Sequence, residues 1–272
     1  MIKPKIMGVV NATPDSFSDG GRFVDRDAGV AYALKLASDG AEILDIGGES
    51  TRPGALDVTL TEELERVLPI IEGVRDRIDI PISIDTRKAK VAEAAFSMGA
   101  SIWNDVSALT YDEDSIEVAA RLKATVVLMH AQGTPDTMQD NPCYDNVIKE
   151  VHAFLQARIN ECHSANIDPA KIIVDPGIGF GKTLEHNLIL LKNLKLFGDL
   201  APVLLGVSRK RFIAAIDRDG APADRLGGSI AAMLKGASAD VAYVRVHDVA
   251  ETRQALNVWA ALEGEVGAQA NT

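Results

Sequence analysis

Polar side chains able to bind or catalyse recur at one kind of place in this chain, the C-terminal end of a short apolar, β-branched run. Lys5-Ile6-Met7-Gly8-Val9-Val10 leads into Asn11, and Pro81-Ile82-Ser83-Ile84 into Asp85. Ser101-Ile102-Trp103 is followed by Asn104, and Lys171-Ile172-Ile173-Val174 by Asp175. Asp45 lies inside Glu42–Ile46, Met129 ends Thr125–Met129, Lys210 stands just past Val203–Val207, and Arg245 with His247 closes Val241–Val246. Burying a carboxylate is costly unless a donor or cation meets it. A lone aspartate at such an end can equally cap the next helix. Capping does not account for polar residues at nearly every end, so these side chains are expected to converge on one pocket. Carboxylates, amides and cations together suit an amide-rich heterocycle carrying an anionic group.

The cations are few and grouped. Arg52 lies in a Gly/Pro/Ser/Thr-rich stretch, Ser208-Arg209-Lys210-Arg211 follows the seventh run, and Arg245 and His247 alternate on one side of the eighth. Two long polar segments, residues 11–23 and 47–55, read as mobile loops over a pocket mouth. Asp175–Thr183 ends like a phosphate-binding P-loop, but that pattern needs Gly where Pro176 stands. It reads instead as a flexible Gly-rich loop. No His-Glu-x-x-His pair occurs, and His152, His163 and His186 fall in helical or surface contexts.

The elements that must position these groups are eight strands with helices between them. Continuous apolar runs fit strands buried on both faces, as in parallel sheets. Leu64, Val67, Leu68 and Ile71 recur at helical spacing, as do Val147, Val151, Phe154, Leu155, Arg158 and Ile159, and Leu256, Trp259 and Leu262. Eight such units in 272 residues predict a single (β/α)8 TIM barrel of the α/β class, with long loops after strands 1 and 2. A doubly wound sheet would show a Gly-rich turn after its first strand. The chain reads as one domain over 1–272, with a core of about 5–262 and a flexible tail at 264–272.

Composition narrows the function. Lys+Arg 28 against Asp+Glu 39 gives 28 − 39 = −11, which disfavours a nucleic-acid surface. Two cysteines supply no disulfide framework, and no signal peptide or membrane span is evident, so a cytoplasmic protein without membrane partners is expected.

Met7-Gly8-Val9-Val10-Asn11-Ala12-Thr13-Pro14-Asp15-Ser16-Phe17-Ser18-Asp19-Gly20-Gly21 resembles the opening signature of the dihydropteroate synthase family, and Asp45-Ile46-Gly47-Gly48-Glu49-Ser50-Thr51-Arg52-Pro53-Gly54 resembles its second. Ile84-Asp85-Thr86, Asn104-Asp105-Val106, Met129-His130, Asp175–Lys182, Ser208-Arg209-Lys210 and Arg245-Val246-His247 follow in the family's order. The resemblance runs from about residue 5 to 262. It implies a barrel transferase of folate biosynthesis that condenses 6-hydroxymethyl-7,8-dihydropterin diphosphate with 4-aminobenzoate to 7,8-dihydropteroate and pyrophosphate, and that sulfonamides inhibit.

Carried onto this chain, the resemblance implies a pterin site of Asp85, Asn104, Val106, Met129, Asp175, Phe180, Lys210 and Arg245. It implies diphosphate contacts from Asn11, Thr51, Arg52, Arg245 and His247, with Asn11 near a bound Mg2+. It implies a 4-aminobenzoate pocket of Phe17, Ser50, Thr51, Arg52, Pro53, Lys210 and Arg211. Asp85, Lys210, Arg245 and His247 would carry the catalysis, an SN1-like loss of pyrophosphate. A homodimer is the family's usual state. Ala12, Trp103, Ala108 and Arg211 depart from common family residues, Arg211 at the rim of the aminobenzoate pocket. Three rival readings exist, the blandest a catalytic barrel that merely binds sugar phosphates, which gives no account of the two long loops. A methyltetrahydrofolate-dependent corrinoid methyltransferase of the same superfamily would not need the first loop or the Ser-Arg-Lys motif. A non-catalytic pterin-binding protein would be suspected had Asn11, Arg52 or Lys210 been lost.

Overall fold

The structure, a computed structural model, describes residues 3–13, 26–50, 57–133 and 137–264. Its strands are β1 (Lys5–Asn11), β2 (Ile43–Gly47), β3 (Ile82–Asp85), β4 (Ile102–Asp105), β5 (Thr125–Met129), β6 (Ile172–Asp175), β7 (Leu204–Gly206) and β8 (Tyr243–Val246). Each lies within a residue or two of its apolar run. They form one parallel sheet in the order β6-β5-β4-β3-β2-β1-β8-β7. A parallel bridge between Val174 and Val203, with the Val174 N–H donating to Pro202 O at 3.0 Å, joins the two edges and closes the barrel. The expected (β/α)8 barrel is therefore the fold. The loops expected to be mobile after strands 1 and 2 fall largely outside the described residues, as does most of the C-terminal tail.

The helices are α1 (Arg26–Asp39), α2 (Leu60–Arg75), α3 (Ala89–Ser97), α4 (Ser115–Arg121), α5 (Val147–Ser164), α6 (Leu184–Lys192), α7 (Lys195–Gly198), α8 (Arg211–Ile216), α9 (Leu226–Ala237) and α10 (Val249–Leu262). Several start on the caps their sequences supply. Thr59 accepts from Glu62 N at 3.3 Å, Asn146 from Lys149 N at 3.0 Å, and Thr183 and His186 form a reciprocal box opening α6. Short α7 and α8 add a second helix after β6 and β7. On α10, Leu256 and Trp259 are buried as expected, but Leu262 is 82% exposed. It sits in the last turn, past the sheet that the stripe covers.

Two apolar layers hold the barrel. The larger lies between strands and helices and includes Ile6, Leu44, Ile46, Val67, Ile71, Ile84, Trp103, Leu128, Leu155 and Val246. The smaller fills the barrel itself, with Met7, Ile43, Ile102, Val127, Ile173 and Leu204, and Tyr243 packed against them. That plug is the floor on which the polar rim stands.

Candidate active site

Alternation along a strand sends every second side chain to the same face. The register aligns Gly47 with Asp85, Asp85 with Asn104, Met129 with Asp175, and Gly206 with Arg245. The inward positions one step earlier belong to the plug, including Ile102, Val127, Ile173 and Leu204. The polar residues thus form a layer at the C-terminal ends of the strands, the face where barrel enzymes do their chemistry.

One half of that layer is a charge network. Arg245 Nε donates to Asp45 Oδ2 and Arg245 Nη2 to Asp85 Oδ2, each at 2.6 Å. Asn104 Nδ2 also donates to Asp45 Oδ2, at 3.1 Å. Asp45 is 0% exposed, and among the described residues its buried Oδ1 has no partner. Asp45 therefore orients both Arg245 and Asn104. Burial, reinforced by Asp45, pushes the Asp85 carboxyl up to about 7 although Arg245 opposes it. Burial also works against the Arg245 charge, but Asp45 and Asp85 outweigh it and hold the guanidinium above its ordinary range.

The other half is Asp175 with Lys210. Asp175 Oδ1 accepts from Gly177 N at 2.7 Å. A Cβ on Gly206 would lie 3.7 Å from Lys210 Nζ and 3.8 Å from Asp175 Oδ2, ordinary contact distances, so both charged groups stand against the same point of β7. Lys210 Nζ donates to Ile178 O and stands 4.6 Å over the Phe180 ring. Burial pushes the Lys210 ammonium down to about 8, against the pull of Asp175. Burial raises the Asp175 carboxyl above its ordinary range, against Lys210 and the Gly177 N–H.

The segment after β6, expected to be a flexible Gly-rich loop, is instead pinned. Gly179 N donates to Asn187 Oδ1 at 2.7 Å, and Tyr144 Oη to Gly181 O at 2.7 Å. Gly177 has φ +69°, and a Cβ there would sit 1.9 Å from His130 O, so only glycine fits. Val106, half-buried past β4, lies in a turn held by Asp105, whose carboxylate accepts from Ser107 N, Ser107 Oγ and Leu109 N at 2.6 to 2.8 Å.

Other predicted residues are placed less centrally. Asn11 ends β1 and is half-buried; Met129 ends β5 and is buried. His247 is half-buried, with Nδ1 3.0 Å from Ser208 Oγ. Ser50 follows Glu49, whose carboxylate pairs with Arg87 and Lys88 and accepts from Val58 N at 3.1 Å. Arg209 does not join the site: it pairs with Asp248, its Nε 3.0 Å from Oδ2. Arg211 is exposed at the start of α8. Phe17, Thr51, Arg52 and Pro53 lie outside the described residues. Sequence reasoning placed Asp45 at a strand end but gave it no role; the signal available was its place one alternation below the rim. It also passed over Lys182, within the rejected P-loop.

For a divalent cation, the described residues contain no group of three or more His, Cys, Asp or Glu that could cage it. Asn11 offers a hard amide oxygen at the mouth. A single protein oxygen fits Mg2+, which keeps waters and takes phosphate oxygens.

Comparison with known proteins agrees with this geometry. The profile of a family described as pterin binding enzyme matches residues 7–247. The chain is 48% identical over 261 residues to the dihydropteroate synthase of Haemophilus influenzae, covering 95% of this chain and 94% of that protein. A crystal structure of the Yersinia pestis dihydropteroate synthase with a sulfonamide drug complex superposes with a TM-score of 0.91 at 40% identity, covering 96% of this chain and 95% of that one. The Xanthomonas albilineans dihydropteroate synthase with 4-aminobenzoic acid superposes with a TM-score of 0.90 at 46% identity, covering 96% and 93%.

Proposed function

The chain belongs to the dihydropteroate synthase family of pterin-binding enzymes, and from that premise we propose that it joins 6-hydroxymethyl-7,8-dihydropterin diphosphate to 4-aminobenzoate, releasing pyrophosphate. The observation that carries the reading is the rim itself: Arg245 bridging Asp45 and Asp85 on one side, Asp175 beside Lys210 on the other.

The pterin lies between these halves. Asp175 accepts the paired N–H groups of the ring's amide edge, which fixes orientation as well as affinity. Asn104 spends one N–H on Asp45, so its amide is held in one orientation toward the ring. Lys210 supplies a cation to the ring's acceptor side, and Phe180, Met129 and Val106 supply apolar walls. Arg245, its plane oriented by two carboxylates, stacks on the ring while its exposed edge meets the diphosphate.

As the C–O bond to the diphosphate stretches, positive charge grows on the pterin methylene and negative charge on the leaving group. Asp85 as a carboxylate stabilises the first. Arg245, His247 and Arg52 share the second, with Thr51 and Asn11 as neutral donors and acceptors. Asn11 would hold Mg2+, which when bound adds to the neutralisation of pyrophosphate. The arylamine, seated among Phe17, Ser50, Thr51, Arg52, Pro53, Lys210 and Arg211, then attacks the methylene carbon, and as the C–N bond forms it gives up one N–H proton to water. No side chain forms a covalent bond; positioning and preorganised charge do the work.

The same reading makes the enzyme a sulfonamide target, because a sulfonamide presents the arylamine without a competent product. It also includes cytoplasmic residence, where both small substrates dissolve, and a homodimer. The support for the dimer is an apolar groove of Leu188, Leu191, Ile213, Ile216, Ala231 and Ala232, with Ile216 57% exposed. Lys192, Lys235 and Asp217 at its rim carry both signs, as a self-complementary twofold contact needs. The function is tested by chromatography of the product: dihydropteroate must form, and a sulfonamide must raise the apparent KM for 4-aminobenzoate. Pterin binding without product would favour the non-catalytic alternative.

A further inference from the structure

Lys182 is 3% exposed, and among the described residues its ammonium makes three hydrogen bonds. They run to His130 Nδ1 at 3.0 Å, His130 O at 3.2 Å and Phe180 O at 2.9 Å. The buried amine thus meets three partners. The two carbonyls accept its N–H groups, and at His130 Nδ1 the donor is set by the imidazole tautomer.

The cage joins two segments that flank the pocket. His130 follows β5, and its N–H donates to Asp175 O at 3.0 Å. Its carbonyl, held by Lys182, is the surface against which Gly177 packs at φ +69°. Gly177 N in turn donates to Asp175 Oδ1 at 2.7 Å. The second carbonyl on the same ammonium belongs to Phe180, whose ring lies under Lys210. One buried amine therefore holds both the backbone beside the Asp175 carboxylate and the backbone of the Phe180 wall. The charges around it favour this arrangement. Burial pushes His130 down to about 3, with Lys182 adding to the effect, so the imidazole remains neutral. Burial also lowers Lys182, to about 7, while Asp175 opposes the loss of its proton.

We propose that Lys182 is a positioning residue for the pterin: from behind the pocket wall it holds Asp175 and Phe180 in the geometry that receives the ring, without touching the substrate. This rests on the proposed function. Its particular consequence is selectivity between substrates, because Asp175 and Phe180, the residues it holds, are assigned to the pterin and not to the arylamine.

The test is calorimetric titration of wild type, Lys182→Met and Lys182→Gln with 6-hydroxymethylpterin diphosphate, alongside steady-state KM for both substrates. Lys182→Met keeps the length and removes the charge and all three donors; Lys182→Gln keeps two N–H groups. The expected result is pterin affinity weakened about tenfold or more in Lys182→Met and by less in Lys182→Gln. The KM for 4-aminobenzoate stays within about twofold of wild type in both. Unchanged pterin affinity in both variants overturns the proposal, as do equal losses for both substrates. So does failure of both variants to fold, which would make Lys182 a core residue only. If wild type itself binds no pterin, it is the proposed function that falls.

Discussion

Nη2 of Arg245 donates to Oδ2 of Asp85 at 2.6 Å across the barrel mouth, from β8 to β3 over two intervening strands. The contact directs the carboxylate proposed to stabilise the pterin cation and opposes the burial that raises its pKa, while Asp45 holds the other edge of the same guanidinium.

Arg245→Lys keeps a positive charge but cannot bridge two carboxylates in one plane. Its kcat/KM should fall at least about a hundredfold. Asp45, buried and already short of a partner at Oδ1 among the described residues, should then cost about 3 kcal/mol of stability. Denaturant unfolding beside steady-state kinetics checks both. Activity within threefold of wild type would remove the bridge from the mechanism.

The pH dependence follows from two groups. Asp85, pushed up to about 7, must be ionised, so kcat/KM should rise with pH through that value. Lys210, pushed down to about 8, must be protonated, so kcat/KM should fall above it. The profile should be a narrow bell between the two limbs. A flat profile from about pH 5.5 to 9 would contradict both assignments.

Lys210→Ala should cripple turnover while leaving the fold intact, since the ammonium faces Asp175 and Phe180 at the mouth and not the plug. A loss of about a hundredfold or more in kcat/KM with an unchanged far-UV spectrum is the expected pairing. Near-normal activity would remove Lys210 from the site.

The turn after β4 carries a separate prediction. Ala108 and Leu109 have φ of +55° and +61°, and Arg158 donates to their carbonyls at 2.8 and 3.1 Å. Arg158→Met should destabilise the protein by about 2 kcal/mol, because two buried carbonyls lose a charged donor. Ala108→Gly should raise stability by about 1 kcal/mol or less, relief of left-handed backbone outweighing the extra chain freedom. Thermal unfolding of both variants decides. A stabilised Arg158→Met would mean that the clamp does not hold this turn.

The strands and the polar rim were legible in the sequence because burial on both faces writes itself as unbroken apolar runs, and the ends of those runs are where Asp85, Asn104 and Asp175 stand. What joins the rim was not legible. Asp45 meets Arg245 across 200 residues of chain, and only the closed register brings them together. The loop after β6 looked flexible from its glycines, yet Gly177 is there to let the backbone approach His130 O, which makes the loop rigid. Lys182 was hidden for the same reason, its partner lying on the neighbouring strand end. Ala108 and Leu109 gave no sign of their left-handed backbone, since neither is the glycine or asparagine that usually marks it. Arg209 stood in a cationic cluster by sequence, but the turn at φ +59° directs it to Asp248 instead.

The most direct measurement of the central claim is the stoichiometry of one reaction. Purified protein is mixed with 6-hydroxymethyl-7,8-dihydropterin diphosphate, 4-aminobenzoate and Mg2+, and pyrophosphate and dihydropteroate are counted together. The account predicts equal amounts of both, formed catalytically and lost in the Arg245→Lys variant. No release of pyrophosphate above the enzyme-free control would contradict it.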